Sequence, residues 1–334
     1  MPAVVVGLAL VLPFLSRTVE HNLEVFLLAL GILAMTVLSA WSRGVAEEAL
    51  RAPVPIAAAV LVSGLAFHFG RRQMDRAFDR ARRSVSPGVL FFFLIVVTGL
   101  LSCVVSAIVA SLVMVEFVRR AGLDRKREIR LTILACYAIG FGAALLPIGE
   151  PLSAVVTAKL GESMWFLARC LGAYIVPAVL VLGLAGVALG GKGKPADPVR
   201  PAAHESVSEV LWRAARSYAF VGALILLGGA LTPFANRYLL GLSPTQLYWA
   251  NMVSAILDNA TLAAAEVTSR MSHGQLDAAM LGLIISGGML IPGNIPNIVA
   301  AQHLRIKSRE WAAFAVPVGL VLLVCFHFVL VLGG

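Results

Sequence analysis

Charge is scarce in this chain. Only 13% of its 334 residues are Asp, Glu, Lys or Arg, where a water-soluble domain carries about 25%. That shortage, with 59% hydrophobic residues and a mean hydropathy of +0.89, excludes an ordinary soluble fold. Cysteine is scarce too. Cys103, Cys136, Cys170 and Cys325 all sit in apolar runs without CxxC spacing, so neither a disulfide framework nor a zinc site is supported. The HExxH pattern is absent, and His68, His303 and His327 stand alone. No nucleophile–base pair or metal cluster falls at membrane depth, which argues against an intramembrane enzyme. No cofactor is called for.

What is present is a series of long uncharged runs: 2–16, 25–42, 52–67, 84–115, 131–149, 170–191, 217–236, 278–302 and 311–334. Spans of about 17–25 apolar residues cross a bilayer. The composition therefore predicts an all-α polytopic membrane protein of a bacterial or archaeal inner (plasma) membrane. Residues 2–16 lack a basic flank and a small-residue cleavage site, and read as a short first membrane segment. The net charge of +9 comes from basic loops between apolar runs. The positive-inside rule explains it without nucleic acid.

Those loops set the expected topology. Gly70–Arg83 carries six arginines against two aspartates, and Arg119–Arg130 is also basic, so both belong in the cytoplasm. Between them, 84–115 carries no charge. One straight helix of that length would extend about 48 Å, against about 30 Å of hydrocarbon. A run with both flanks on one side must enter, turn and return. Thr98, Gly99, Ser102, Ser106 and Ser111 supply turn material in its middle, so we expect a re-entrant helical hairpin. Residues 131–160 then cross outward and 163–190 cross back. The linker 190–209 is cytoplasmic and 212–233 cross outward. Region 244–271 starts and ends outside, 275–304 cross inward, and 311–332 leave the C-terminus outside. Arg17 falls inside and the loop 42–52 outside. The arginine-rich 70–83 segment and Ser208–Tyr218 read as helices on the membrane surface, against lipid headgroups. The chain divides into N-terminal scaffold helices (1–83), a first repeat (84–190), the linker (191–209) and a second repeat (210–334).

The division rests on an internal repeat. VSAI occurs at 105–108 and again at 253–256, and "LLPIGEPLSAVVTAKL" (145–160) matches "LIPGNIPNIVAAQHL" (290–304). By the charge argument the two copies enter from opposite sides. Paired Gly/Pro interruptions in an inverted repeat point to a binding site near the midplane. Asp258 lies where the second hairpin should turn, with Ser254, Asn259 and Thr261 around it. A carboxylate in lipid persists where it faces a cavity and binds something, although an Asp there could also cap a helix. Glu150 is the sole charge between Arg130 and Lys159 and falls in the first helix break. Asn294 is its approximate partner in the second break, and Ser153 roughly matches Asn297. Gly149, Gly293, Ser102 and Ser106 complete the candidate ion- or substrate-binding set. Asp258, Glu150 and Asn294 are the expected oxygen ligands of a sodium ion. Glu116 and Glu266 are expected at the membrane interface.

"SAILDNATLAAA" and "IPGNIPNIVA" resemble the Asp-Asn hairpin and the Gly-Asn-Pro-Asn break of the ion transporter superfamily. That group includes NhaD-type sodium–proton antiporters, ArsB-type arsenite transporters and dicarboxylate or citrate carriers. The early "VEHNLEVF" is similar to a compact branch of cation transporters within it. The resemblance covers about 86–185 and 210–332. It implies an inverted-repeat fold with two re-entrant hairpins and two broken helices, working as a homodimer by an elevator motion. Asp258 and Asn259 would take the hairpin ion site, and Gly293, Asn294 and Asn297 the broken-helix site. Departures are visible: the first hairpin reads "SAIVASL", and Glu150 stands where many relatives have a neutral residue. The expected activity is sodium–proton antiport. The alternative is a sodium-coupled importer of a small anion, a carboxylate or bicarbonate, with Lys159 helping if it reaches the cavity.

Overall fold

The computed structural model describes residues 22–51, 85–189, 206–255 and 259–333, with Val5, Leu8 and scattered positions between 53 and 73. Asp258, the segment 2–16 apart from Val5 and Leu8, Arg17, most of the linker, and the arginine-rich 71–84 stretch apart from Gln73 lie outside the described residues. Among the described residues every regular element is helical.

The helices are α1 (Leu23–Val37), α2 (Arg43–Arg51), α3 (Pro87–Val105), α4 (Ala107–Arg120), α5 (Arg125–Ala143), α6 (Pro151–Leu160) and α7 (Phe166–Ala188). They continue as α8 (Val207–Tyr238), α9 (Pro244–Ala250), α10 (Asn259–Glu266), α11 (His273–Gly287), α12 (Ile295–Leu304) and α13 (Ser308–Gly333). Short 3₁₀ turns cover Asn251–Ala255 and Ile291–Gly293. Four helices, α3, α7, α8 and α13, are long and apolar enough to cross a membrane. Their outward faces are greasy: Phe93 and Leu101 on α3, Val181 and Leu184 on α7, and Val321 and Phe328 on α13 are all at least half exposed. Contiguous apolar faces of that size mark contact with lipid in a chain this hydrophobic. The protein is a helical membrane protein.

Two expectations are corrected here. The turn of the first hairpin lies at Ser106 alone, and Thr98, Gly99 and Ser102 are interior to α3. Gly99 is a crossing point: a Cβ on Gly142 of α5 would lie only 1.8 Å from the Gly99 carbonyl. Small residues let the two backbones touch. As a result α3 keeps 19 residues, about 28 Å of helix. Second, Ser208–Tyr218 is no separate surface helix, because it runs straight into the 32-residue α8. Glu116 and Glu266, expected at the membrane interface, are packed inside the protein, at 9% and 7% exposure. Glu116 pairs with Arg120 at 2.8 Å, and Glu266 accepts a 2.8 Å bond from Asn251 Nδ2.

The core is organised around α5 and α11. The first packs against α3, α4 and α7, and the second against α9 and α13. Packing then crosses between the repeats: α6 lies on α10 and α12 lies on α4. A separate layer is formed by α1 on α8, with α2 alongside. Buried aromatics bolt α13 to the interior through their polar tips. Tyr137 Oη donates to the Ala315 carbonyl at 2.8 Å and Tyr248 Oη to the Leu323 carbonyl at 2.7 Å.

A candidate site at two matched helix breaks

The two helix breaks superimpose in register. A constant offset of 144 residues relates them, and the contacts that shape the turn follow it. Ser153 Oγ lies 3.3 Å from the Ala143 carbonyl and 2.8 Å from that of Leu146. Asn297 Nδ2 donates to the Gly287 and Leu290 carbonyls, both at 2.9 Å. These carbonyls belong to the last turns of α5 and α11 and the residues just beyond, where no helical N–H remains to serve them. A side chain from the following half-helix does so instead. Gly149 and Gly293 also match. A Cβ on Gly149 would fall 2.1 Å from the Ala143 carbonyl, and one on Gly293 would fall 2.6 Å from that of Gly287. Only glycine allows the chain to double back this closely. The second half-helices end alike too, at left-handed Gly161 and Arg305.

Glu150 and Asn294 occupy one position in the two copies. Both are extended residues preceding a half-helix, at φ −156°, ψ 162° and φ −154°, ψ 146°. Neither side chain caps the helix it introduces. Both are buried, at 4% and 3% exposure. Asn294 leans against α5, where a Cβ on Gly140 would meet its Nδ2 at 2.6 Å.

The hairpin tips close on the breaks. The Ala107 N–H donates to the Gly149 carbonyl at 2.8 Å. On the other side the Ser254 and Ala255 carbonyls press on Gly293, and the Asn259 amide lies beside Gly287. Ser106, at the first tip, has φ 73° and ψ 150°, a region that is essentially glycine-only. Each hairpin also ties a serine to the matched turn of its broken helix. Ser102 Oγ bonds the Ile139 carbonyl at 2.9 Å and Ser254 Oγ that of Leu283 at 3.2 Å.

Ser106 is thus brought to Gly149 and Glu150 at the first break, and Ser254 and Asn259 to the second break at Gly293, while Pro292 and Ile295, which flank Gly293 and Asn294, share a cavity wall with the first break. Thr261 is buried in the first turn of α10. Ser102 and Ser153 are committed to carbonyls and hold the frame. Among the described residues, Ser106 Oγ, Asn259 Nδ2, Asn294 Oδ1 and Asn297 Oδ1 are buried polar atoms with no hydrogen-bond partner. The three oxygens among them are neutral and suit a hard cation, whereas the Asn259 nitrogen is a donor. Asp258 adjoins Asn259 in sequence and lies outside the described residues.

A cavity of about 470 Å³ opens beside the first break. Its wall includes Ser106 and Ala107 of the tip, Gly149 and Glu150 of the break, and Pro292, Ile295 and Ile298 of the second copy. Trp212, Arg216 and Phe220 of α8 and Glu24 of α1 face them. Arg216 and Glu24 form an ion pair across the α1–α8 seam. Sequence reasoning missed this pair because the partners are 192 positions apart. The one available signal was Glu24 itself, a charge at the head of an apolar run. Lys159 is turned elsewhere: its Nζ donates to the Ala264 carbonyl of α10 at 2.7 Å. Its charge reaches Glu48 of α2, whose carboxyl is pushed up by burial and drawn part-way back by Lys159.

A family comparison covers nearly all of this architecture, from residue 2 to residue 332. The chain belongs to DUF1646, a family of proteins of unknown function. No curated protein matches it. Family membership therefore adds extent, and the chemistry must come from the site.

Proposed function

We propose that this protein is a secondary active transporter that exchanges a cation, most simply sodium, for protons. The observation that carries the reading is Glu150, a buried carboxylate at a helix break, facing a cavity where a hairpin tip and both repeats converge. An ionisable side chain at membrane depth, facing a cavity, marks an ion or proton pathway by default. Asn294 and Asn297 supply neutral oxygens on the matched break, and Asp258 is the proposed second carboxylate. A sodium shell built from carboxylate, amide and backbone oxygens needs no cluster of acids and histidines.

The proposed mechanism is alternating access. The cavity wall includes Glu209 and Trp212, next to the linker that charge places in the cytoplasm, which supports entry from that side. In this reading the re-entrant hairpins and broken helices move together, as an elevator, against the α1–α8 layer in a homodimer. A cation entering from the cytoplasm displaces a proton from Glu150 or Asp258, and the reverse step on the other side completes exchange. The anion-import reading is less well supported, because its cation, Lys159, is engaged on Ala264.

Purified protein in proteoliposomes with an internal pH dye tests this. A sodium pulse should move protons with no added anion, and Glu150→Gln and Asp258→Asn should each slow the exchange at least tenfold. Exchange indifferent to both substitutions would overturn the assignment. Strict dependence on an added carboxylate or bicarbonate would select the importer.

A further inference from the structure

On the face that charge places in the cytoplasm, one arginine gathers the basic residues of two distant stretches. Arg125, the first residue of α5, reaches the loop between α12 and α13. Its Nη1 donates to the Leu304 carbonyl at 2.9 Å and its Nη2 to the Arg305 carbonyl at 2.8 Å. These carbonyls lie at the end of a half-helix, where no helical N–H serves them. The same guanidinium pairs with Glu128 of its own helix at 2.9 Å and with Glu310 of α13 at 3.1 Å. Segments 180 positions apart are thereby clamped side by side.

The clamp also decides which charges are left over. Stretches 119–130 and 305–310 hold nine basic residues against three acids, Asp124, Glu128 and Glu310. Arg125 takes two of the acids, and Arg127 takes Asp124 at 3.3 Å. Lys126, Arg130, Arg305 and Arg309 are exposed and form no ion pair among the described residues. The positive-inside rule asks only for an excess of cations on this side. It does not ask that the acids be spent at the clamp and four cations be left bare around it.

The patch borders lipid. Arg130 holds its guanidinium over the Phe314 ring of α13, 5.5 Å from the centroid. Helix α13 has 26 residues, about 39 Å of helix, against about 30 Å of hydrocarbon. Its exposed apolar residues run from Leu320 to Val331, so the excess length falls at the charged end, at headgroup level. Cations there, above a greasy helix face, match a molecule with an anionic head and acyl tails. A free phosphate would use only the charged half of the match.

We propose that this patch is a docking site for the headgroup of an anionic phospholipid, with Lys126, Arg130, Arg305 and Arg309 around the phosphate and the acyl chains along α13. The proposal concerns this surface alone and stands apart from the transport reading.

Lipid titration of the delipidated, detergent-purified protein, followed by native mass spectrometry, tests it. The first phosphatidylglycerol should bind about tenfold or more tighter than zwitterionic phosphatidylcholine. Arg305→Gln with Arg309→Gln should weaken it by about tenfold or more, since each basic residue near the surface contributes about fivefold. Lys126→Gln with Arg130→Gln should do the same, and serves as the second test should the first pair fail to fold. Arg237→Gln with Arg270→Gln removes as much charge from the opposite side and should change nothing. A phosphatidylglycerol with a photocrosslinker in its headgroup should label peptides holding 126–130 and 305–309. Equal binding of phosphatidylcholine would mark an acyl-chain cleft and overturn the proposal. An equal loss in the control pair would mark bulk charge and overturn it too. So would labelling confined to other segments, or displacement of the lipid by an equal concentration of inorganic phosphate.

Discussion

At the first helix break a carboxylate, Glu150, stands where the second break has an amide, Asn294, on backbone of nearly the same φ and ψ. Three residues later a hydroxyl, Ser153, does the work of an amide, Asn297, on the same pair of carbonyls. The backbone of the repeat is held constant while its polar groups have diverged. The difference shows which parts are architecture: the doubled-back glycine and the side chain that serves the orphaned carbonyls recur in both copies. The buried charge occurs in one, and the cavity lies beside that copy. Symmetry supplies the frame and asymmetry supplies the site.

The largest effect should come from attacking the shared element. Gly149→Ala and Gly293→Ala each force a methyl group against a backbone carbonyl, which can be relieved only by moving the break. Each is expected to lose about 3 kcal/mol or more, seen as a fall in thermal midpoint on fluorescence-detected size-exclusion chromatography. Tolerance at one site and not the other would break the equivalence of the two copies. A smaller effect should separate the carbonyl-serving side chains. Asn297→Ala removes two buried hydrogen bonds, to the Gly287 and Leu290 carbonyls, and should destabilise by about 2 kcal/mol, against about 1 kcal/mol for Ser153→Ala. Equal losses would mean that the longer amide adds nothing to the frame. The smallest effect concerns the hairpin tips. Ser106→Gly removes a strained left-handed serine and should raise stability by about 1 kcal/mol. Ser254→Gly, which removes a bond to the Leu283 carbonyl, should lower it by about the same amount. Opposite signs would sharpen the comparison, and a shared sign would show that the tips carry the same strain.

Much of the frame was legible in residue order. The Gly/Pro pairs marked both breaks, because those residue types interrupt a helix wherever they occur. The pairing of Glu150 with Asn294 and Ser153 with Asn297 followed from spacing along one repeat. The spacing from Ser106 to Gly149 and from Ser254 to Gly293 differs by four residues, and α5 is four residues longer than α11. One added turn leaves the breaks in phase. The first hairpin turn was legible only approximately. Gly99 and Ser102 have turn chemistry, yet Gly99 serves a helix crossing and Ser102 bonds across it to Ile139. Composition cannot distinguish a small residue that bends a helix from one that lets a second helix approach. The burial of Glu116 and Glu266 within the protein was not legible for a related reason. Their burial depends on Arg120 and Asn251, and the second of these lies fifteen positions away.

Residue order alone determined that this chain lives in a membrane, that it contains two related halves, and where each half must break. Those properties depend on local hydrophobicity and on backbone limits that travel with each residue. Tertiary packing alone decided which polar groups meet, that Arg216 neutralises Glu24, that Lys159 turns to Ala264, and that a cavity opens beside Glu150. These depend on distances between segments more than a hundred residues apart, and no local preference encodes them.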